Sequence, residues 1–185
     1  MTDCPCCGSP WVATIIRSYD FIAIDADFAM RWQSDIGGVI TACRASDGFI
    51  YTGGQVGTRG GLCKSKSDTG AIVWGLSPSA GRPVFAVAVD ASGNIATGTD
   101  DSTAHKPLRV YSPSKALYWE DAFGAGTSAV YGLAYDSSNN IYAAGGGFLH
   151  GGSSFDGYVI KYSQSGTQLW QASYGNSFGG VSGDC

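Results

Sequence analysis

Over residues 130–170, VYGLAYDSSNNIYAAGGGFLHGGSSFDGYVIKYSQSGTQLW, apolar and small residues alternate at first, turn-forming residues fill 136–140, and a β-favouring run opens at Ile141. A Gly/Ser stretch follows, then a second β-favouring run over 158–162, a polar turn over 163–167 and a short run ending at Trp170. Short runs of this kind, broken by Asp, Asn, Ser and Gly, predict antiparallel strands joined by tight turns. The segment therefore reads as one small sheet with strands A, B, C and D in chain order.

The pattern recurs. Aligned on the strand-B isoleucine, Ile50, Ile95 and Ile141 stand 45 and 46 residues apart, within RASDGFIYTG, VDASGNIATG and YDSSNNIYAA. The C–D hairpin recurs as IDADFAMRW to Trp32, KSDTGAIVW to Trp74, YSPSKALYW to Trp119 and YSQSGTQLW to Trp170. A period in the forties with four short strands per repeat predicts an all-β fold, the four-stranded antiparallel blades of a β-propeller. One small sheet cannot bury both of its faces alone, so neighbouring blades must stack, and the strand-D tryptophan is suited to wedge between them. No stretch holds a helical apolar period without a Gly or Pro cluster, so no helix is expected.

These residues resemble two families: the bacterial β-propeller repeat with a DGYVIKYSQSGTQLW-like hairpin followed by a glycine-rich link, and the quinoprotein-like repeat of the form KSDTGAIVW. The resemblance covers about residues 20–185. It implies the propeller fold and leaves function open, because propellers host catalysis, binding and pure scaffolding.

The first repeat begins at strand B (11–17), continues through C (21–25) and D (30–32), and lacks strand A. At the other end, eleven residues separate Trp170 from Val181, as eleven separate Trp119 from Val130 and ten separate Trp74 from Val84, so VSGDC at 181–185 falls where a new strand A starts. That strand either completes the first sheet into a closed four-bladed ring or belongs to an arc of a larger ring. The arc is the favoured expectation, since four blades is the low end for propellers. Two or more copies, or another protein, are a third way to complete the ring. The expected organisation is an arm at 1–11 and repeats at 12–185, with blade boundaries near 37, 80 and 127.

A chain of 185 residues with 44% hydrophobic content and 28 glycines suits a loop-rich β domain with a real core. Eleven Lys and Arg within a net charge of −4 form no basic stripe, which removes the electrostatic basis for nucleic-acid binding. No apolar run approaches the ~20 residues that span a bilayer. MTDCPCCGSPW has neither a basic n-region nor an apolar h-region. Either the protein leaves the cell by another route, as within a virus particle, or a signal has been removed from a mature chain; Met1 favours the first, and the expected setting is extracellular or virion.

Cys4, Cys6 and Cys7 crowd the arm, and Cys4 with Cys7 has the C-x2-C-G spacing of half a zinc site. A tetrahedral site needs four ligands and no second C-x2-C exists, so free or partner-linked thiols are the plainer reading. Zinc at Cys4 and Cys7 is the only cofactor the sequence suggests. The quinoprotein resemblance also brings in a vicinal disulfide at Cys6–Cys7, although that family places it beside its cofactor and not ahead of the first blade.

In propellers the B–C and D–A connections share one rim. The B–C loops are expected at 53–62, 98–107 and 145–157. Arg59 and His150 lie nine residues beyond their strand-B isoleucines and His105 ten, with Asp100 and Asp101 nearby and Phe148 and Phe155 bordering the third loop. Loops on a rigid scaffold carry recognition, so these seven residues are the candidate binding set, for a protein receptor or a cell-surface glycan. Asp90 and Asp136 resemble calcium ligands, but each supplies too few carboxylates, and turn capping accounts for them more simply. No nucleophile–base pair, phosphate loop or H-E-x-x-H occurs. The expectation is a non-enzymatic structural or adhesive module of an extracellular or virion assembly, a phage tail or capsid appendage, docked to protein partners through the arm. A periplasmic quinoprotein-like enzyme and a glycan-binding lectin are the alternatives.

Overall fold

The computed structural model describes residues 12–16, 20–24, 30–35, 38–56, 58–78, 82–100, 106–123, 128–148 and 155–174, with backbone alone for the strands before residue 36. Its regular elements are fifteen strands in four antiparallel sheets. The first sheet has three strands, β1 (Val12–Ile16), β2 (Asp20–Ile24) and β3 (Met30–Asp35), in sequence order and without a strand A. The second contains β4 (Gly38–Arg44), β5 (Phe49–Val56), β6 (Arg59–Lys66) and β7 (Ile72–Leu76). The third contains β8 (Val84–Val89), β9 (Ile95–Thr99), β10 (Leu108–Tyr111) and β11 (Leu117–Asp121). The fourth contains β12 (Ser128–Tyr135), β13 (Ile141–Phe148), β14 (Phe155–Tyr162) and β15 (Gln168–Tyr174).

Each sheet is a meander in which chain order equals spatial order, as tight turns between short strands require. The A–B turns close by the same device. The Asp90 carboxylate accepts from the amides of Ser92 and Asn94 and from the Asn94 side chain, and Asp136 repeats this with Ser138 and Asn140. These carboxylates are committed to holding their own turns, so capping and not calcium ligation accounts for the repeated Asp. The left-handed position of each turn falls on Gly48, Gly93 and Asn139, residue types that tolerate positive φ.

Sheets stack in chain order along their first strands: β4 and β5 pack on β8, β8 and β9 pack on β12, and β1 and β2 reach β4. Among the described residues no packing of comparable extent joins the fourth sheet to the first, and the described contacts run from sheet to sheet in one series, an arc. Two apolar cores lie between sheets and not within them. Tyr51 and Leu62 of the second sheet meet Val84, Ile95 and Tyr111 of the third. Ala96, Leu108 and Val110 of the third meet Val130, Ile141, Ala143, Ile160 and Tyr162 of the fourth. Each fully buried Leu, Ile or Val contributes about 1.5–3 kcal/mol, so the stacking contacts dominate stability.

The glycine-rich stretches behave differently from the sequence expectation. Residues 53–62 are mostly strand, with Gly53 opposite Leu62, Gly54 opposite Gly61 and Val56 opposite Arg59. In the fourth sheet pairing likewise continues to Phe148 opposite Phe155. A run of glycines reads as loop by composition, yet these are strand positions, and at Gly53 and Gly98 the backbone lies too close to the neighbouring sheet to carry a side chain. A Cβ on Gly98 would stand 2.7 Å from both Cγ1 and the carbonyl oxygen of Val130 on the next sheet, and one on Gly53 would stand 2.6 Å from Val84.

Two predictions follow from these contacts. Gly98→Ala is expected to destabilise the fold by about 1–3 kcal/mol, since a valine and a backbone carbonyl must both move; urea unfolding would show it, and an unchanged midpoint would refute the close approach. Asp136 has a different signature. Hydrogen bonds from the Asn140 side chain, together with backbone amides and Lys161, hold its carboxyl well below the usual carboxylate range despite an opposing desolvation. A depressed folded value contributes stability above the unfolded value of about 3.9 and loses it as pH falls toward the folded value. Asp136→Ala should therefore lower the melting temperature at neutral pH by a margin that is constant above about pH 5 and narrows in more acid solution.

Candidate functional site

The expected rim is only partly within the described residues. His105, His150, Asp101, Cys4 and Cys7 lie outside them, and Phe148 and Phe155 are described as a cross-strand backbone pair. Arg59 is exposed at the start of β6, in a strand and not on a loop. Asp100 follows β9, bridges to Ala129 at the start of the next sheet, and forms an ion pair of 3.0 Å with Arg82. Its second oxygen is buried with no hydrogen-bond partner among the described residues. Arg82 belongs to the link between the second and third sheets, so D–A and B–C connections meet on one rim. Arg59 and Asp100 occupy different sheets, and no contact between them is described.

Cavities open on the opposite, hairpin face of the described residues. One of about 360 Å³ lies between the third and fourth sheets, lined by Asp90, Asn94, Trp119, Tyr135, Gln164 and Ser165. Another of about 380 Å³ opens beside the ends of the first strands, with Cys43, Val89, Leu133 and Asp136 among its walls. Tyr135 lines both; burial pushes its phenol up, with the Asp90 charge adding to the effect, and its hydroxyl has no described partner. The carboxylates beside it already serve their turns. Among the described residues no group of three metal-ligating side chains occurs.

The inner edge of the arc carries a more regular feature. Each complete sheet has a bulge in its first strand: pairing skips Ile40 between Val39 and Thr41, Phe85 between Val84 and Ala86, and Tyr131 between Val130 and Gly132. A bulge leaves its extra residue out of the ladder and turns it away from the regular alternation. Ile40 is 43% exposed and Tyr131 57%, and the rings of Phe85 and Tyr131 meet at 5.4 Å with planes tilted by 56°. Consecutive first strands are neighbours in the arc, so the three side chains form one apolar stripe running from sheet to sheet along its inner edge. The stripe suits burial of apolar or aromatic groups, about 1.5–3 kcal/mol for each large side chain covered.

Sequence reasoning passed over the stripe although the signal was present. Ile40, Phe85 and Tyr131 each stand ten residues before Ile50, Ile95 and Ile141, so the alignment that revealed the repeat also aligns the bulges. A lone apolar residue in a strand reads as core, and only the skipped pairing distinguishes it.

No protein-family model matches the sequence, and no curated protein does. Solved structures do resemble it. The quinohemoprotein alcohol dehydrogenase from Comamonas testosteroni matches with a TM-score of 0.61 and 14% identity over 89% of this chain and 33% of that one. The Dos1 propeller matches at 0.62 and 12% identity, over 88% of this chain and 44% of that one. A quinoprotein alcohol dehydrogenase-like protein from Bacteroides thetaiotaomicron matches at 0.56 and 14% identity, over 91% and 42%. This chain thus spans a third to under a half of the length of these structures. Identities this low speak for fold alone, and the fold is that of consecutive β-propeller blades.

Proposed function

We propose that the chain is a non-enzymatic, protein-binding propeller module of an extracellular or virion assembly, a phage tail or capsid appendage being the setting favoured. The observation that supports binding over catalysis is the stripe of Ile40, Phe85 and Tyr131. Large apolar side chains stand at the same position of successive blades, Ile40 and Tyr131 exposed and Phe85 half-buried between them, and an apolar patch of this kind marks an interaction surface. Aromatic residues also dominate the binding energy of protein interfaces. The thiols of Cys4, Cys6 and Cys7 supply a second, covalent means of holding a neighbour.

The test is photo-cross-linking from the stripe in the native source. With a benzophenone amino acid at position 131 and, separately, at 85, both are expected to give an adduct with the same partner protein, and Ile40→Asp should abolish it while leaving the melting temperature within about 1 °C. Two other results would overturn the reading. A redox-active chromophore bound to the isolated protein would turn it toward a quinoprotein-like enzyme. Sugar binding lost on changing Arg59, His105 and His150 to Ala, with no adduct from the stripe, would turn it toward a lectin.

A further inference from the structure

The two sheet-to-sheet interfaces in the arc follow one rule. On the face each sheet turns toward the next, one cross-strand row ends in the strand-D tryptophan: Tyr51, Lys64 and Trp74 in the second sheet, Ala96, Val110 and Trp119 in the third. That tryptophan covers the C–D turn of the following sheet. The Trp119 indole N–H donates to the Gln164 carbonyl at 3.0 Å, its ring lies 5.5 Å from that of Tyr162, and a Cβ on Gly166 would sit 2.7 Å from it. Trp74 is capped by the Lys115 ammonium, 5.7 Å from its ring centroid, and Lys115 holds the same left-handed turn position as Gly166.

The fourth sheet carries the same row, Tyr142, Lys161 and Trp170. Tyr142 and Trp170 meet at 5.9 Å, edge to face, as Tyr51 and Trp74 do at 6.1 Å. Trp170 is nevertheless 44% exposed, because no following turn covers it among the described residues. The adjoining row is Gly132, Ala144, Val159 and Ala172, small enough to admit another sheet at the usual spacing of about 10 Å. The opposite face of this sheet, with Ile141, Ala143, Ile160 and Tyr162, is fully buried against the third.

We propose that this face binds the first sheet, β1–β3, of a second copy of the chain, head to tail. The occupant should be a sheet, since the same rows in the second and third sheets take a sheet and nothing else. A second copy offers one of matching kind: β1 and β2 rest on β4, which leaves the other side of β1–β3 uncovered among the described residues. Every copy then has a forward face at one end of the arc and a backward face at the other. A contact between unlike faces repeats from copy to copy and closes as a ring when the rotation allows. The proposal is independent of the inner stripe and of what it binds.

The mass of the natural protein in solution, by light scattering and native mass spectrometry, decides it. A mass of two or more times 19.2 kDa is expected, falling to 19.2 kDa in Trp170→Asp with the far-UV circular dichroism of the folded protein retained. Ala144→Arg, a separate lesion on the same face, should do the same and guards against misfolding of the first variant. A 19.2 kDa species for the unaltered protein, or an oligomer that survives both changes, would falsify the proposal. A single heavier polypeptide whose own further blade covers Trp170 would overturn it equally.

Discussion

Everything in this fold depends on covering both faces of a sheet only four strands wide. A lone blade has too little interior to be stable, so its energy comes from pressing against the next one. That contact has two fixed points. Near the axis, Gly53 and Gly98 let the following first strand approach to touching distance of the backbone. At the periphery, Trp119 lies across the turn at Gln164–Gly166. Between them Leu62, Leu108 and Val110 fill the gap against Val84, Ile95, Ile141 and Ile160. Glycine inside and tryptophan outside make a wedge, and successive wedges rotate the sheets into an arc.

The same geometry fixes where chemistry can occur. Positions facing a neighbour are committed to packing, and the turn carboxylates are committed to their own backbones. In the second sheet the Asp47 carboxylate takes Lys64 at 2.8 Å and the Tyr51 hydroxyl at 2.9 Å; in the fourth Lys161 bridges Asp136 and Tyr142. These charges tie strand to turn beneath the tryptophan and are structural. What remains free is the rim, the hairpin-face clefts and the inner edge. On the inner edge the bulges deliver three apolar side chains in line, and nothing in the scaffold requires Tyr131 to be tyrosine there. Tyr131 meets the Phe85 ring and is otherwise 57% exposed, so a large aromatic group stays at the surface there.

Much of the fold was legible because repetition multiplies a weak signal. The spacing of Ile50, Ile95 and Ile141 predicted the sheets, and the tryptophans predicted the wedges. Asp90 and Asp136 were readable as caps from turn chemistry alone. The glycine stretches misled, since composition cannot separate a glycine that turns the chain from one that lets a neighbouring strand pass. Gly98 is the latter, and only the position of Val130 reveals it. The stripe was hidden for a related reason: a bulge changes which way a residue points without changing its type. Arg59 falls within β6 and not on a loop, and the sequence offsets carried no information on partners: Asp100 meets Arg82, which comes from a different connection.

The exposed tryptophan of the fourth sheet is held in place by its own blade. Trp74 and Trp170 have the same intrasheet partner in the same edge-to-face arrangement, so the side chain is preset by its own blade. Presetting lowers the conformational cost of docking, because the rotamer is already selected before the next turn arrives. The forward row of the fourth sheet keeps Tyr142 and Lys161 where the second has Tyr51 and Lys64, and its neighbouring row stays small and apolar. A face built to end the arc would carry polar residues in that row, as capping repeats do in other stacked architectures. This one is built as an interior face, which is the physical reason for expecting another sheet against it.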